Sequence, residues 1–340
     1  MVKFDVVIGN PPYQDDNEGR NRADAIYPLF YDSSEKISDM YCLITPARFL
    51  FDTGATPSKW NKKMLSDEHL KVVYYNEDSS VAFTNTDIRG GIVVLIRNEN
   101  NVYGKIGTFT RFSEMESVLS KVENSSFKPI SEMLYNSTSY KFNPIMYEDY
   151  PRLKSVVTKS NRRTIVSNAF DRYHEVFSSK KNSTDIMIYG RQNNNRLYKY
   201  IDSKYIEHGG NLNGYKVLVT GANGTGEFGE PLSELEVGLP GMGHTQTFVS
   251  IGNFSSQEEA NSLIKYLKGK FSRAMLSIKK VTHNGKTKET WSKVPLQDFT
   301  KDSDIDWTKS IAEIDQQLYA KYGLNEEEIA FIETHVKQMD

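Results

Sequence analysis

At 340 residues the chain is long enough for two domains, and its make-up, 38% hydrophobic and 25% charged, is that of an ordinary soluble protein. No apolar run approaches the length of a membrane span, and MVKFDVV enters a strand pattern without the regions of a signal peptide, so the cytoplasm is the expected compartment. One cysteine, Cys42, excludes an internal disulfide, and six scattered histidines without ligand spacing speak against a structural zinc. The net charge of −2 is uneven: residues 151–300 carry 22 Lys+Arg against 13 Asp+Glu, residues 1–150 carry 16 against 21, and residues 301–340 carry 4 against 10. A basic middle between acidic flanks fits a polyanion-binding region, although a solvated face gives the same count.

The first 110 residues alternate strand and helix. FDVVIG, apolar but for Asp5, is read as a strand covered on both faces. A polar loop, QDDNEGRNRADA, leads to a helix around YPLFYDSSEKI. MYCLITP reads as a second strand, buried with Cys42 in it and stopped by Pro46, and LKVVYYN and GIVVLIR follow as a third and a fourth. This order predicts an α/β sheet, with few strands for a doubly wound domain.

From about 112 to 160 the pattern loosens, and a domain boundary is expected there. The next stretch is richer in Asn, Gly, Ser and basic residues, with short strands in DIMIYG, YKVLVTG and TQTFVSIG. Ser256-Gln257-Glu258-Glu259 fits a capping box, followed by Ala260, Leu263, Ile264, Leu267 and Phe271 at helical spacing. IAEIDQQLYAKY and EEEIAFIETHVKQM predict two closing helices separated by Gly323-Leu324-Asn325.

Asn10-Pro11-Pro12-Tyr13 carries the chemistry. It ends a strand, where α/β enzymes place ligands. An Asn side-chain oxygen and a neighbouring carbonyl can accept from one amino group, proline fixes φ and offers a carbonyl without an N–H, and Gly9 allows close approach. The Tyr13 ring gives a planar group a surface to stack on. In adenine the exocyclic amine is a poor nucleophile because its lone pair is delocalised. Two acceptors aimed at its hydrogens favour the pyramidal form and stabilise the positive charge of attack, which is oxyanion-hole logic with the sign reversed.

FDVVIGNPPYQ resembles the amino-directed DNA methyltransferases, specifically the adenine-specific group with an Asn-Pro-Pro-Tyr motif. MYCLITPARFLF, VAF with GIVVLIR, and the downstream YLKGKFSRAMLSIKKVT, VPLQDF and DIDWTKSIAEIDQQLYAKYGL are similar to other parts of restriction–modification methylases, so the resemblance spans most of the chain. It implies that Asn10 and the Pro11 carbonyl hold the target amine, with Pro12 keeping the turn, and that Tyr13 stacks on a flipped base, with Phe83 a second wall or a core residue. It further implies S-adenosylmethionine as methyl donor. The family's Phe-x-Gly-x-Gly donor loop, which precedes this motif, has no counterpart here. The resemblance therefore implies a partial Rossmann-like sheet lacking its cofactor half, completed by a missing N-terminal segment or a partner chain. The expected division is the catalytic half-domain at 1–125, a target-recognition domain at 126–300 and a helical tail at 301–340.

Double-stranded DNA is then the expected partner of the basic middle. Arg191, Gln192 and Arg196 in RQNNNRLYKY are candidate base contacts, and Arg162, Arg163, Arg273, Lys279 and Lys280 candidate phosphate contacts. Each alone is also an ordinary surface residue. A non-catalytic DNA-binding specificity fragment or a decayed methyltransferase remains the alternative. A third class, an oxidoreductase, rests on VLVTGANGTGEFGE at 217–230, but Pro231, Gly238 and Pro240 break the helix that a dinucleotide turn must open.

Overall fold

The computed structural model describes residues 4–15, 24–52, 56–83, 88, 90–156 and 158–339. Most of the expected QDDNEGRNRADA loop lies outside them. The chain divides into two compact units, one of residues 1–117 with 278–282 and the other of 118–277 with 283–340.

In the first unit, β1 (Val7–Gly9), β2 (Met40–Pro46), β3 (Leu70–Asn76) and β4 (Ile92–Asn98) form a sheet in the order β1-β2-β4-β3. β1 runs parallel to β2, whereas β4 is antiparallel to both β2 and β3. The carboxyl ends of β1, β2 and β3 therefore point the same way. α1 (Tyr27–Ile37) starts with Pro28 in its first turn, where a missing N–H costs nothing, and α2 (Ser58–Ser66) follows β2.

One face of this sheet makes the core. Tyr41, Leu43, Val93 and Leu95 are buried with Tyr27, Tyr31, Phe49 and Trp60, and the hydroxyls of Tyr31 and Thr45 are hydrogen-bonded at 2.9 Å. Val281, from the returning segment, belongs to the same cluster. The other face is thinly covered: Met40, Cys42 and Ile44 are half-buried, and Phe4, Val6 and Ile8 are 56%, 41% and 76% exposed. This corrects two expectations, since FDVVIG is not covered on both faces and Cys42 is not deeply buried. A mostly apolar run reads as a two-sided strand, but burial depends on what lies against it.

α3 (Ser113–Glu123) contains the division between the units. In the second unit β5 (Leu134–Tyr135), β6 (Tyr140–Phe142), α4 (Met146–Asp149), α5 (Ala169–Arg172), β7 (Asp185–Gln192), β8 (Asn195–Asp202) and β9 (Ile206–His208) come first. Then come β10 (Tyr215–Thr220), β11 (Glu236–Gly238), β12 (Met242–His244) and β13 (Phe248–Phe254). The sheets are β11-β10-β13-β5, β12-β7-β8 and β6-β9. An aromatic core holds Tyr140, Phe142, Phe170, Tyr173 and Phe177 with Ile188 and Ile201.

The helices α6 (Gln257–Lys268), α7 (Lys270–Ser277), α8 (Ile311–Lys321) and α9 (Glu326–His335) belong to this unit as well. Ser256 caps α6 by accepting from Glu259 N–H. The helix stops at Gly269, so Phe271 lies in α7 instead of extending the α6 stripe. Full capping boxes, Ser310 with Glu313 and Asn325 with Glu328, fix the starts of α8 and α9.

Candidate functional site

Asn10 stands exposed where β1 ends, and Pro11 behind it is buried. The chain past the motif is held by a short ladder: the Tyr13 carbonyl accepts from Ile26 N–H at 3.2 Å, and Asp15 N–H donates to the Asp24 carbonyl at 3.1 Å. This ties the motif to the residues that open α1. The ladder was not legible in the sequence, because its two sides are separated by the polar loop.

The Tyr13 ring meets Phe83 edge to face, with centroids 6.2 Å apart and planes at 82°. Phe83 is positioned by the turn after β3. Asn76 Oδ1 accepts from Asp78 N–H at 2.9 Å, and Asp78 Oδ1 accepts from Ser80 N–H at 2.9 Å. Phe83 N–H then donates to the Ser79 carbonyl at 2.9 Å. Asx turns of this kind are readable in Asn76-Glu77-Asp78-Ser79-Ser80, a signal that sequence reasoning passed over. Burial pushes the Tyr13 hydroxyl up to about 12, so the ring stays neutral across the physiological range.

The residues proposed for nucleic-acid contact are dispersed and mostly engaged. Arg162 Nε donates to the Lys154 carbonyl at 3.1 Å, and Arg163 pairs with Glu207. Arg191 donates to Asn194 Oδ1 at 3.0 Å, Gln192 to the Asp171 carboxylate, and Arg196 to the Glu234 carbonyl at 2.9 Å and Thr220 Oγ1 at 3.0 Å.

Arg273 is a correction. It is 1% exposed, and its guanidinium donates to the carbonyls of Lys268, Gly269, Gly229 and Lys337. A buried guanidinium held by these four carbonyls joins loops and offers nothing to a phosphate. Lys279 and Lys280 are 4% exposed each, and this burial likewise removes them as phosphate contacts. A basic run in a sequence reads as surface, yet a long cation can be buried if acceptors surround its head.

After β10 the glycine-rich loop opens no helix, the next element being β11. Thr225 N–H and Gly226 N–H converge on the Glu230 carboxylate at 2.7 and 3.1 Å. A Cβ on Gly224 would come within 2.2 Å of that carboxylate. The glycines thus fold the loop around its own glutamate, and the N–H groups that would hold a diphosphate are occupied.

Among the described residues no cluster of His, Cys, Asp and Glu suits a metal ion. No described helix is long and apolar enough to cross a membrane.

Comparison with known proteins gives these features a context. Residues 1–83 match the model of the Eco57I restriction-modification methylase family. A protein of Mycoplasma pneumoniae described as an uncharacterised adenine-specific methylase is 26% identical over 169 residues, which is 48% of this chain and 40% of that protein. Among solved structures, the type IIG restriction endonuclease BpuSI aligns over 91% of this chain and 48% of its own, at 11% identity and a TM-score of 0.33. The type IIL restriction-modification enzyme MmeI in complex with DNA aligns over 97% and 56%, at 9% identity and a TM-score of 0.42. The chain thus spans less than two thirds of the length of each of these three proteins. FDVVIGNPPY and the elements after it, through Phe83, lie within a segment similar to restriction–modification methylases.

Proposed function

We propose that this chain carries the target-base side of an adenine-specific DNA methyltransferase of a restriction–modification system. The reaction is transfer of a methyl group from S-adenosylmethionine to the exocyclic amine of adenine in a specific duplex site. The observation that carries the reading is the placement of exposed Asn10 at the end of β1 beside the Tyr13–Phe83 pair. Asn10 Oδ1 and the Pro11 carbonyl accept the two amine hydrogens, and Tyr13 and Phe83 wall a base turned out of the helix. Out-of-stack presentation costs a few kcal/mol, and base–aromatic stacking of about 1–3 kcal/mol offsets much of it.

The strand order β1-β2-β4-β3 supports a partial Rossmann-like sheet, with ligand chemistry at the carboxyl ends of its parallel strands. The described residues fit the methyl acceptor and not the donor. Gly90 and Gly91 are packed against Arg48 and Asn76, and the 217–230 loop is closed on Glu230. We therefore assign the donor cradle to strands that join at β1, from a segment or partner chain outside these residues. Among the described residues β1 pairs on one side only, and this edge, with Phe4, Val6 and Ile8 exposed in and just before β1, supports that joint. Within this reading residues 1–125 do the chemistry, 126–300 recognise duplex DNA and 301–340 form a helical tail, all in the cytoplasm. The same lack of a donor cradle favours one rival, a DNA-binding specificity fragment without catalysis.

Labelled-methyl transfer to duplex DNA separates the two, measured with the chain and a polypeptide carrying the donor half. Asn10→Ala should lower transfer by at least about 10²-fold with duplex binding unchanged. Equal transfer by the variant would sink the catalytic assignment. Duplex binding without transfer by the native chain would favour the specificity fragment.

A further inference from the structure

RQNNNRLYKY, read from sequence as a polar stretch, is built into the β7–β8 hairpin. The register runs unbroken from Asp185↔Asp202 to Gln192↔Asn195. Asn193 and Asn194 turn the chain with φ of 50° and 64°, the two positive φ values that a two-residue hairpin turn requires. The stem is anchored, with Ile188 and Ile201 in the core of the second unit and Ile186 and Leu197 packed against it. On the other face Tyr189 packs on Phe248, with centroids 4.8 Å apart. Beyond this apolar stem, residues 191–196 are all Arg, Gln or Asn.

The hydrogen bonds sort these six. Arg196 is a brace: its guanidinium spans the Glu234 carbonyl and Thr220 Oγ1 and lies over the Phe248 ring, 5.9 Å from its centroid. Gln192 is a brace too, donating to Asp171. Arg191, Asn193, Asn194 and Asn195 are left exposed at the tip, with Arg191 oriented by its bond to Asn194. At the stem, Ser178 N–H donates to the Tyr200 carbonyl at 2.8 Å, which places exposed Lys180 and Lys181 beside the outer edge of β8.

We infer that the β7–β8 hairpin is the groove-reading element of this protein, entering the major groove of duplex DNA tip first, so that Arg191 and Asn195, on opposite faces of the ribbon, each reach a base edge. The inference rests on the methyltransferase reading for the choice of DNA and deepens it by naming the recognition element. A two-stranded ribbon fits the B-form major groove, about 12 Å wide, and not the deep, narrow one of duplex RNA. Arg pairs with the guanine O6/N7 edge and Asn with the adenine N6/N7 edge. Lys180 and Lys181 hold phosphates on the β8 side of the reading position, and Arg196 and Gln192 position the ribbon without touching bases.

The test selects binders to the full chain from a randomised duplex DNA pool, with duplex RNA as competitor, and repeats the selection with variants. The native chain should enrich one motif. Arg191→Ala should weaken binding to it by about 5- to 150-fold and relax one guanine position, and Asn195→Ala should relax an adenine position. Lys180→Ala with Lys181→Ala should weaken binding to all sequences alike and lower the salt slope by about 2. Arg196→Ala should lower the melting temperature, which Arg191→Ala should leave in place. If Arg191→Ala and Asn195→Ala select the native motif with native affinity, the hairpin inference is overturned and the DNA reading stands. If the native chain enriches no duplex, or RNA competes equally, both fall.

Discussion

Tyr13 and Phe83 touch although the strands that deliver them, β1 and β3, lie on opposite edges of their sheet. The two loops must therefore arch toward each other over the shared carboxyl end of the sheet. That arch is the wall of the candidate base pocket, and it sets the first expectation.

The Tyr13 hydroxyl is shut off from solvent and has no hydrogen-bond partner among the described residues. An unsatisfied buried hydroxyl costs about 1–3 kcal/mol. Tyr13→Phe removes the hydroxyl and keeps the ring, so the variant should melt a few degrees higher and still stack on a base. Tyr13→Ala should lose roughly 1–3 kcal/mol of base binding. Differential scanning calorimetry checks the first statement, and a lower melting temperature for Tyr13→Phe would show that the hydroxyl has a partner after all.

The sequence made much of this unit legible because its signals are local. MYCLITP and LKVVYYN are β2 and β3 residue for residue, and YPLFYDSSEKI is α1. The motif Asn10–Tyr13 was likewise visible because residue type and strand end coincide. What stayed hidden depends on distant partners. Arg273 and Phe271 sit beside each other in a basic, apolar stretch, and only the four carbonyls converging on Arg273 decide that its charge is spent inside. Glu230 lies in the glycine-rich stretch, but that it closes on Thr225 and Gly226 follows from the loop's backbone, not from its composition.

Arg273 should accordingly behave as a structural residue. Burial lowers its guanidinium to about 10, so it is still charged at neutral pH and needs its acceptors. Arg273→Ala removes the guanidinium that joins the carbonyls of three separate segments and should cost on the order of 3 kcal/mol. Chemical denaturation reads this as a lower midpoint. At a temperature where the variant is folded, the salt dependence of duplex binding should match the native slope; a shallower slope would mean that Arg273 reaches a phosphate.

His244 gives the protein a pH dependence with a defined window. The ring is fully buried, with Nδ1 3.0 Å from the Thr245 carbonyl and Nε2 3.1 Å from Ser250 Oγ. Ser250 Oγ in turn accepts from Asn211 Nδ2 at 3.0 Å, and Asn211 Oδ1 accepts from the Tyr140 hydroxyl at 2.6 Å. Desolvation, followed by the nearby Lys216 charge and against the Thr245 hydrogen bond, pushes the imidazole down to about 4. The unfolded chain binds a proton below about 6.5 and the folded one only near 4, so this contribution is complete above pH 6.5 and is lost as pH falls toward 4. The loss amounts to about 3 kcal/mol. The difference in unfolding free energy between the native chain and His244→Gln should shrink across that window, and a flat difference would mean the ring is protonated in the fold.

The exposed face of β1 makes the last prediction. Phe4 and Val6 just before β1 and Ile8 within it are exposed, and Ile8 is the most exposed of them at 76%. β1 pairs with β2 on one side only among the described residues. An apolar edge strand with unpaired backbone groups templates pairing with another chain. The chain alone should therefore self-associate, with a sedimentation coefficient that rises with concentration. Ile8→Lys puts a charge among these apolar residues and should shift the population toward monomer without loss of helix or sheet signal, since Ile8 makes no part of the core. If the native chain sediments as a monomer at all concentrations, the β1 edge is protected by other means, and the joint proposed there for the donor half loses its support.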